Sequence, residues 1–148
     1  MDSGNIGFVL LCAAFVFVMT PGLAMFYGGL VRKKNVVNTM MTSIFIIGIG
    51  IVMWVLFGYS LSFAPSGNAF IGDFRWLGLE GVSLTEGYTD DASIPNMVFS
   101  AFQMMFAVIT PALITGAVAG RMKFKSIFIF TIFWSLIVYY PLAHMVWG

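Results

Sequence analysis

The sequence has few charged side chains and almost no residues that bind metals. Charged residues make up 9% of the 148 residues and hydrophobic residues 60%, whereas a soluble domain carries about 25% charged residues. His144 and Cys12 are the only histidine and cysteine, so the sequence offers neither a zinc cluster nor an intrachain disulfide. The net charge of +1, without a large basic patch, argues against a nucleic-acid partner. We expect a membrane protein with no metal and no cofactor.

The N-terminus lacks the features of a removable signal peptide. The first five residues, MDSGN, contain no basic side chain, and no A-x-A-like cleavage site follows. We therefore expect the first apolar run to be kept as a membrane-spanning helix.

Four charge-free runs are long enough to cross a bilayer. They cover about 6–31, 40–63, 95–119 and 127–147, and a spanning helix needs about 20 apolar residues. The sequence therefore predicts an all-α, polytopic membrane protein with four transmembrane helices.

The distribution of basic residues predicts the orientation of these helices. Six of the seven basic residues lie in two short loops, 32–39 and 120–126, which contain no acid. The long loop between the second and third runs holds five of the six acids and only Arg75. By the positive-inside rule, the two basic loops are cytoplasmic and the N-terminus lies outside a cell (plasma) membrane.

Glycines in the predicted helices indicate where neighbouring helices approach closely. Gly48, Gly50 and Gly58 lie in the second run, while Gly116 and Gly120 form a GxxxG spacing in the third. Small residues of this kind allow helix backbones to pack closely in a membrane. We predict that these positions lie at helix contacts.

Aromatic residues offer one candidate binding site. Phe102 and Phe106 are four residues apart, so they share a helix face near the outer end of the third helix. Trp147 lies at the outer end of the fourth helix. Such rings can hold a cation by cation–π attraction. The alternative is that the phenylalanines are packing residues and that Trp147 belongs to the interfacial aromatic belt.

His144 has two possible roles within the terminal stretch YYPLAHMVWG. A proton relay needs a titratable partner, but no second histidine exists and the spans contain no carboxylate. A lone histidine near a helix end more often forms a hydrogen bond to a nearby carbonyl or hydroxyl. We therefore predict a structural role for His144, and no nucleophile–base pair indicates an enzyme.

Four stretches resemble the N-terminal part of the ammonium transporters of the Amt/Mep/Rh family. These stretches are TPGLAMFYGGLVRKKNVVN at Thr20–Asn38, WVLFGYSLSF at Trp54–Phe63, AFQMMFAVITPALITGAVAGRMKF at Ala101–Phe124, and YPLAHMVWG at Tyr140–Gly148. The resemblance implies that residues 1–148 are the N-terminal part of a single eleven-helix transporter domain.

The same resemblance implies a function for the aromatic residues. Phe102, Phe106 and Trp147 match an outer vestibule that recruits ammonium or methylammonium before deprotonation, after which ammonia crosses an apolar pore. It also implies a homotrimer in a lipid bilayer and a possible cytoplasmic regulatory protein for the full-length chain.

The sequence departs from the family in one respect, and two alternatives to a transporter stay open. The family's two pore histidines are not matched by His144, so the sequence is interpreted as a fragment that does not transport by itself. One alternative is an ammonium-sensing domain of the same family. The other is a complete four-helix membrane interaction module.

Overall fold

The computed structural model describes residues 1–65 and 68–148. Within these residues, four helices are long and apolar enough to cross a membrane, and we call them the first to fourth spans. They are Ser3–Leu30, Lys33–Phe63, Asn96–Val118 and Phe124–Trp147. The prediction of an all-α protein with four spanning helices is confirmed.

The largest boundary difference is at the start of the second span. The sequence predicts its start near residue 40, but a 3₁₀ turn begins at Lys33 and an α-helix follows from Val36. Charged and amide side chains in this segment interrupt the apolar run. They lie at the end of the helix, where exposed polar groups are tolerated. The other predicted boundaries lie within three residues of those in the structure.

Two spans contain a π-helical turn at a similar depth. The second span consists of the turn Lys33–Asn35, the α-helix Val36–Met53, the π-helical turn Trp54–Gly58 and the α-helix Tyr59–Phe63. The fourth span consists of the α-helix Phe124–Trp134, the π-helical turn Ser135–Tyr139 and the α-helix Tyr140–Trp147. A π-helical turn adds a residue to the helix and rotates the side chains that follow it.

The two π-helical turns lie where the second and fourth spans come into contact. Gly58 lies against the buried Tyr140 ring, and a Cβ atom added at Gly58 would lie 2.7 Å from Cζ of that ring. Phe57 also contacts Tyr140, with ring centroids 6.2 Å apart. The predicted close approach at Gly58 is therefore confirmed, and this position has no room for a larger residue.

The two glycines of the GxxxG spacing have different roles. Gly116 lies under the ring of Tyr27 from the first span, because an added Cβ would lie 2.8 Å from Oη. Gly120, in contrast, follows the end of the third span and has a φ of 72°. The prediction that Gly120 packs a helix face is wrong, because it terminates the helix in the left-handed conformation that glycine adopts readily.

The long loop is joined to the helices at one end of the bundle. The backbone N–H of Asp2 donates to the carbonyl of Ser93 at 3.0 Å, and the Asn5 amide donates to the Ser93 hydroxyl at 3.0 Å. The basic residues Arg32 and Arg121 border one cavity at the opposite end. The N-terminus and the long loop are therefore on one side and the basic loops on the other, as predicted, while the side that faces the cytoplasm stays a prediction.

Aromatic stacking packs the long loop onto the spans. Trp76 of the loop stacks on Tyr59 of the second span, with ring centroids 5.4 Å apart. Tyr88 of the loop stacks on Phe99 of the third span at 4.9 Å, and Phe63 contacts both of these rings edge-on. Burial in this cluster raises the pKa of the Tyr88 phenol above its usual value. The loop thus has a defined structure rather than acting as a simple connection.

We predict that Gly58→Ala destabilises the protein while Gly48→Ala does not. An alanine at position 58 overlaps the Tyr140 ring, which typically costs about 1–3 kcal/mol in a packed interior. An alanine at position 48 meets no atom within 4 Å among the described residues, so the helix contact predicted at Gly48 is wrong. Both variants gain the same helix propensity, so the difference between their denaturation midpoints in detergent measures the overlap. Equal midpoints would contradict the described contact. Tyr140→Leu introduces a smaller side chain, so combining it with Gly58→Ala should restore stability.

Candidate functional site

Phe102 and Phe106 form an aromatic pair in the first half of the third span, toward the end of the bundle where the long loop lies. Their ring centroids lie 5.2 Å apart with an interplanar angle of 81°, which is the favourable edge-to-face arrangement. Both side chains are half-buried. The predicted sharing of one helix face is confirmed.

Trp147 is the last residue of the fourth span and is 57% exposed. Among residues 1–65 and 68–148, no ring contact joins Trp147 to Phe102 or Phe106. The structure therefore brings two of the three predicted site residues into contact and leaves the third with a free indole face near the same end of the bundle.

His144 connects the fourth span to the second span and the long loop. Its side chain is 7% exposed. Nδ1 lies 3.1 Å from the carbonyl oxygen of Ser62, and Nε2 lies 3.1 Å from that of Asn68. The prediction of a hydrogen bond to a nearby carbonyl is confirmed, and the ring lies one helical turn before Trp147.

Two buried polar contacts that the sequence analysis missed position the third span. The indole N–H of Trp54 lies 3.2 Å from the carbonyl and 3.3 Å from the hydroxyl of Ser100, and the Tyr59 hydroxyl donates to the side-chain oxygen of Asn96. Asn96 and Ser100 are fully buried in the first two turns of the span that carries Phe102. Small polar residues in an otherwise apolar helix are the sequence signal for such contacts.

Two threonine hydroxyls form hydrogen bonds to backbone carbonyls on either side of a proline inside the third span. Pro111 has no backbone N–H, so the helix loses a hydrogen bond there. The Thr110 hydroxyl donates to the carbonyl of Phe106 at 2.6 Å, and the Thr115 hydroxyl donates to the carbonyl of Ala112 at 2.7 Å. The carbonyl that loses its partner is that of Ala107, four residues before Pro111, so the threonine hydrogen bonds flank the proline and do not replace the lost bond.

No metal site accompanies the aromatic pair in the part of the chain that the structure describes. Within residues 1–65 and 68–148, no three His, Cys, Asp or Glu side chains are grouped so that they could hold a metal ion.

These features define an α-helical, polytopic membrane protein with an aromatic pair toward one end of the bundle. A sequence model of the Ammonium Transporter Family matches residues 7–148. The chain therefore belongs to the ammonium transporter family, and the resemblance drawn from the motifs is confirmed.

Comparison with individual relatives agrees with the family match. The chain is 50% identical to an ammonium transporter of Bacillus subtilis over 148 residues, which are 100% of this chain and 36% of the relative. It matches the crystal structure of Saccharomyces cerevisiae Mep2 with a TM-score of 0.87 and 33% identity, over 100% of this chain and 35% of Mep2. A structure described as a sensor Amt protein matches with a TM-score of 0.84 and 26% identity, over 97% of this chain and 34% of the sensor. The chain thus spans about a third of the length of these relatives.

We predict that His144→Ala loosens the junction between the fourth span and the long loop. The change removes the imidazole from the buried carbonyl of Ser62, and loss of a partner for a buried acceptor costs about 1–3 kcal/mol. The backbone amide of Gly72 donates to the carbonyl of Leu61 at 2.7 Å. If the stability of this junction against local opening falls by the same free energy, that amide should exchange about 5- to 150-fold faster with deuterium. Hydrogen-exchange mass spectrometry measures this rate.

Leu142→Ala is the matched control, because Leu142 is exposed on the same helix. It should leave the exchange rate of Gly72 unchanged. Unchanged exchange in His144→Ala, or an equal acceleration in both variants, would show that His144 does not hold this junction.

Proposed function

We propose that this chain contributes the ammonium-recruiting mouth of a protein that moves ammonium or ammonia across a membrane. The observation that carries this proposal is the edge-to-face pair Phe102–Phe106, in a chain that belongs to the ammonium transporter family. Trp147 supplies a further aromatic face from the neighbouring span. An ammonium ion lies against these rings, attracted by their negative faces.

Below the aromatic pair, the surroundings become apolar. Ala107, Val108 and Ile109 follow Phe106 and are buried, and the third span carries no charged residue. A cation that enters such a region loses its hydration without a compensating charge, which is strongly unfavourable. The aromatic mouth therefore suits capture of ammonium, and the apolar region suits passage of neutral ammonia after deprotonation.

The proposal assigns only part of the transport path to these 148 residues. The family resemblance implies a pore with two histidines, and the single histidine here, His144, contacts backbone carbonyls. We propose that residues 1–148 do not transport by themselves. We further propose a plasma-membrane protein with its N-terminus outside, its basic loops cytoplasmic, a homotrimeric assembly and a cytoplasmic regulatory partner for the full-length protein.

A second candidate function is ammonium sensing. The match to a structure described as a sensor Amt protein favours it. Both functions use the same recruiting mouth, but a sensor binds ammonium without moving it. Binding of ammonium without uptake of labelled methylammonium by the full-length protein would select the sensor.

We predict that Trp147→Leu in the full-length protein weakens recruitment of methylammonium. Loss of a cation–π contact worth about 0.5–2 kcal/mol corresponds to a KM that rises about 2- to 25-fold. The maximal rate should stay close to that of the parent, because the indole is not part of the apolar path. Uptake of labelled methylammonium over a range of low concentrations measures both values.

Two further variants separate cation binding from general packing. Trp147→Phe keeps an aromatic face and should retain most of the affinity. Phe133→Leu removes an exposed aromatic ring in the middle of the fourth span and should leave KM unchanged. An unaltered KM in Trp147→Leu would remove Trp147 from the site, and an equal rise in Phe133→Leu would assign the effect to helix packing.

A further inference from the structure

A small cavity lies between the second, third and fourth spans, at the end of the bundle where the basic loops lie. Thr39 and Thr42 border it from the second span, Thr115 from the third and Ile127 from the fourth. The space in it that a water-sized sphere can reach is about 10 Å³. A volume of that size holds about one buried water molecule and nothing much larger.

The three threonines around the cavity are almost completely removed from solvent. Thr39, Thr42 and Thr115 are each at most 4% exposed. Their hydroxyls are therefore buried polar groups, and buried polar groups in folded proteins nearly always have a hydrogen-bond partner, either in the protein or in ordered water. The hydrogen bonds of these three hydroxyls can be counted one by one.

Two of the three hydroxyls already use their proton within their own helix. The Thr42 hydroxyl donates to the carbonyl of Asn38 at 2.8 Å, and the Thr115 hydroxyl donates to the carbonyl of Ala112 at 2.7 Å. A hydroxyl oxygen that donates its proton can still accept hydrogen bonds through its lone pairs. Thr42 and Thr115 therefore offer two acceptors, one from each of two neighbouring spans.

The Thr39 hydroxyl differs from the other two because its proton is not used within the protein. Among residues 1–65 and 68–148, no group forms a hydrogen bond with Thr39 Oγ1. A buried hydroxyl that stays unpaired costs its full desolvation free energy, so such a group is expected to find a partner. Since Thr39 lines the cavity, a molecule inside the cavity can supply that partner.

The lining of the cavity restricts the chemistry of that molecule. The remaining residues that border it are Asn38, Ala119, Gly120 and Met122, so no acidic side chain of the described residues lines it. A cation there would lose its hydration without a compensating charge, which is strongly unfavourable. Two hydroxyl acceptors disfavour an anion. A neutral molecule of the size of water, which both donates and accepts hydrogen bonds, fits the cavity.

We propose that this cavity binds a single ordered water molecule that joins the second span to the third. The water donates hydrogen bonds to the hydroxyl oxygens of Thr42 and Thr115 and accepts one from the hydroxyl of Thr39. Three hydrogen bonds are typical of a buried water molecule. The bridge fastens the two spans at the end of the bundle opposite the aromatic pair, and it is independent of the transport proposal.

The first test is the sign of the stability change in Thr39→Val, made in the full-length protein. Valine replaces the hydroxyl by a methyl group of nearly the same shape. If the hydroxyl binds water, the variant loses a hydrogen bond, and the ratio of folded to unfolded protein should fall about fivefold. If the hydroxyl has no partner at all, the variant removes an unsatisfied polar group and the ratio should rise. Denaturation in detergent distinguishes the two signs.

The second test observes the water directly in crystals of the full-length protein, grown without ammonium and at a resolution that shows ordered water. Density should lie within hydrogen-bond distance of the hydroxyls of Thr39, Thr42 and Thr115 in the parent. It should persist in Thr39→Ser, which keeps the hydroxyl, and weaken or disappear in Thr39→Val.

Four results would overturn the proposal. They are a rise in the folded ratio of Thr39→Val, no density in the parent, density that appears only when ammonium is added, and a side chain from another part of the full-length protein that fills the cavity. Density that depends on ammonium would assign the cavity to the substrate instead of to water.

Discussion

The close packing of the second span against the fourth is the constraint on which the half of the bundle next to the long loop depends. Gly58 leaves room for the Tyr140 ring, and a π-helical turn in each span brings these two positions together. From this contact, the rings of Trp54 and Phe63 extend a buried aromatic cluster toward the long loop. With a larger side chain at position 58, the two spans would separate and the cluster would open.

Both parts of the proposed aromatic mouth are positioned through the second span. Trp54 and Tyr59 form hydrogen bonds with the start of the third span, which carries the phenylalanine pair. Ser62 lies against the ring of His144, one turn before Trp147. The residues of the proposed mouth therefore lie on two helices that both contact the second span.

Much of this architecture follows from the sequence, because its signals are local. A charge-free run of about 20 residues predicts a span, and a four-residue spacing predicts that Phe102 and Phe106 meet. The π-helical turns and the stacking of Trp76 on Tyr59 depend on partners distant in sequence, so periodicity alone could not reveal them. The sequence predicts a helix-packing role for Gly120 wrongly, because a GxxxG spacing does not show whether its second glycine lies inside the helix or just beyond its end.

The most direct test of the account is whether ammonium contacts the exposed indole of Trp147. The full-length protein labelled with fluorotryptophan can be titrated with ammonium and observed by ¹⁹F NMR, with the resonance assigned by its loss in Trp147→Leu. The account predicts a saturable shift of the Trp147 signal with ammonium, and no shift of the signal from Trp54, which is 1% exposed. A Trp147 signal that ignores ammonium, or moves equally with the same concentration of sodium, would contradict the account.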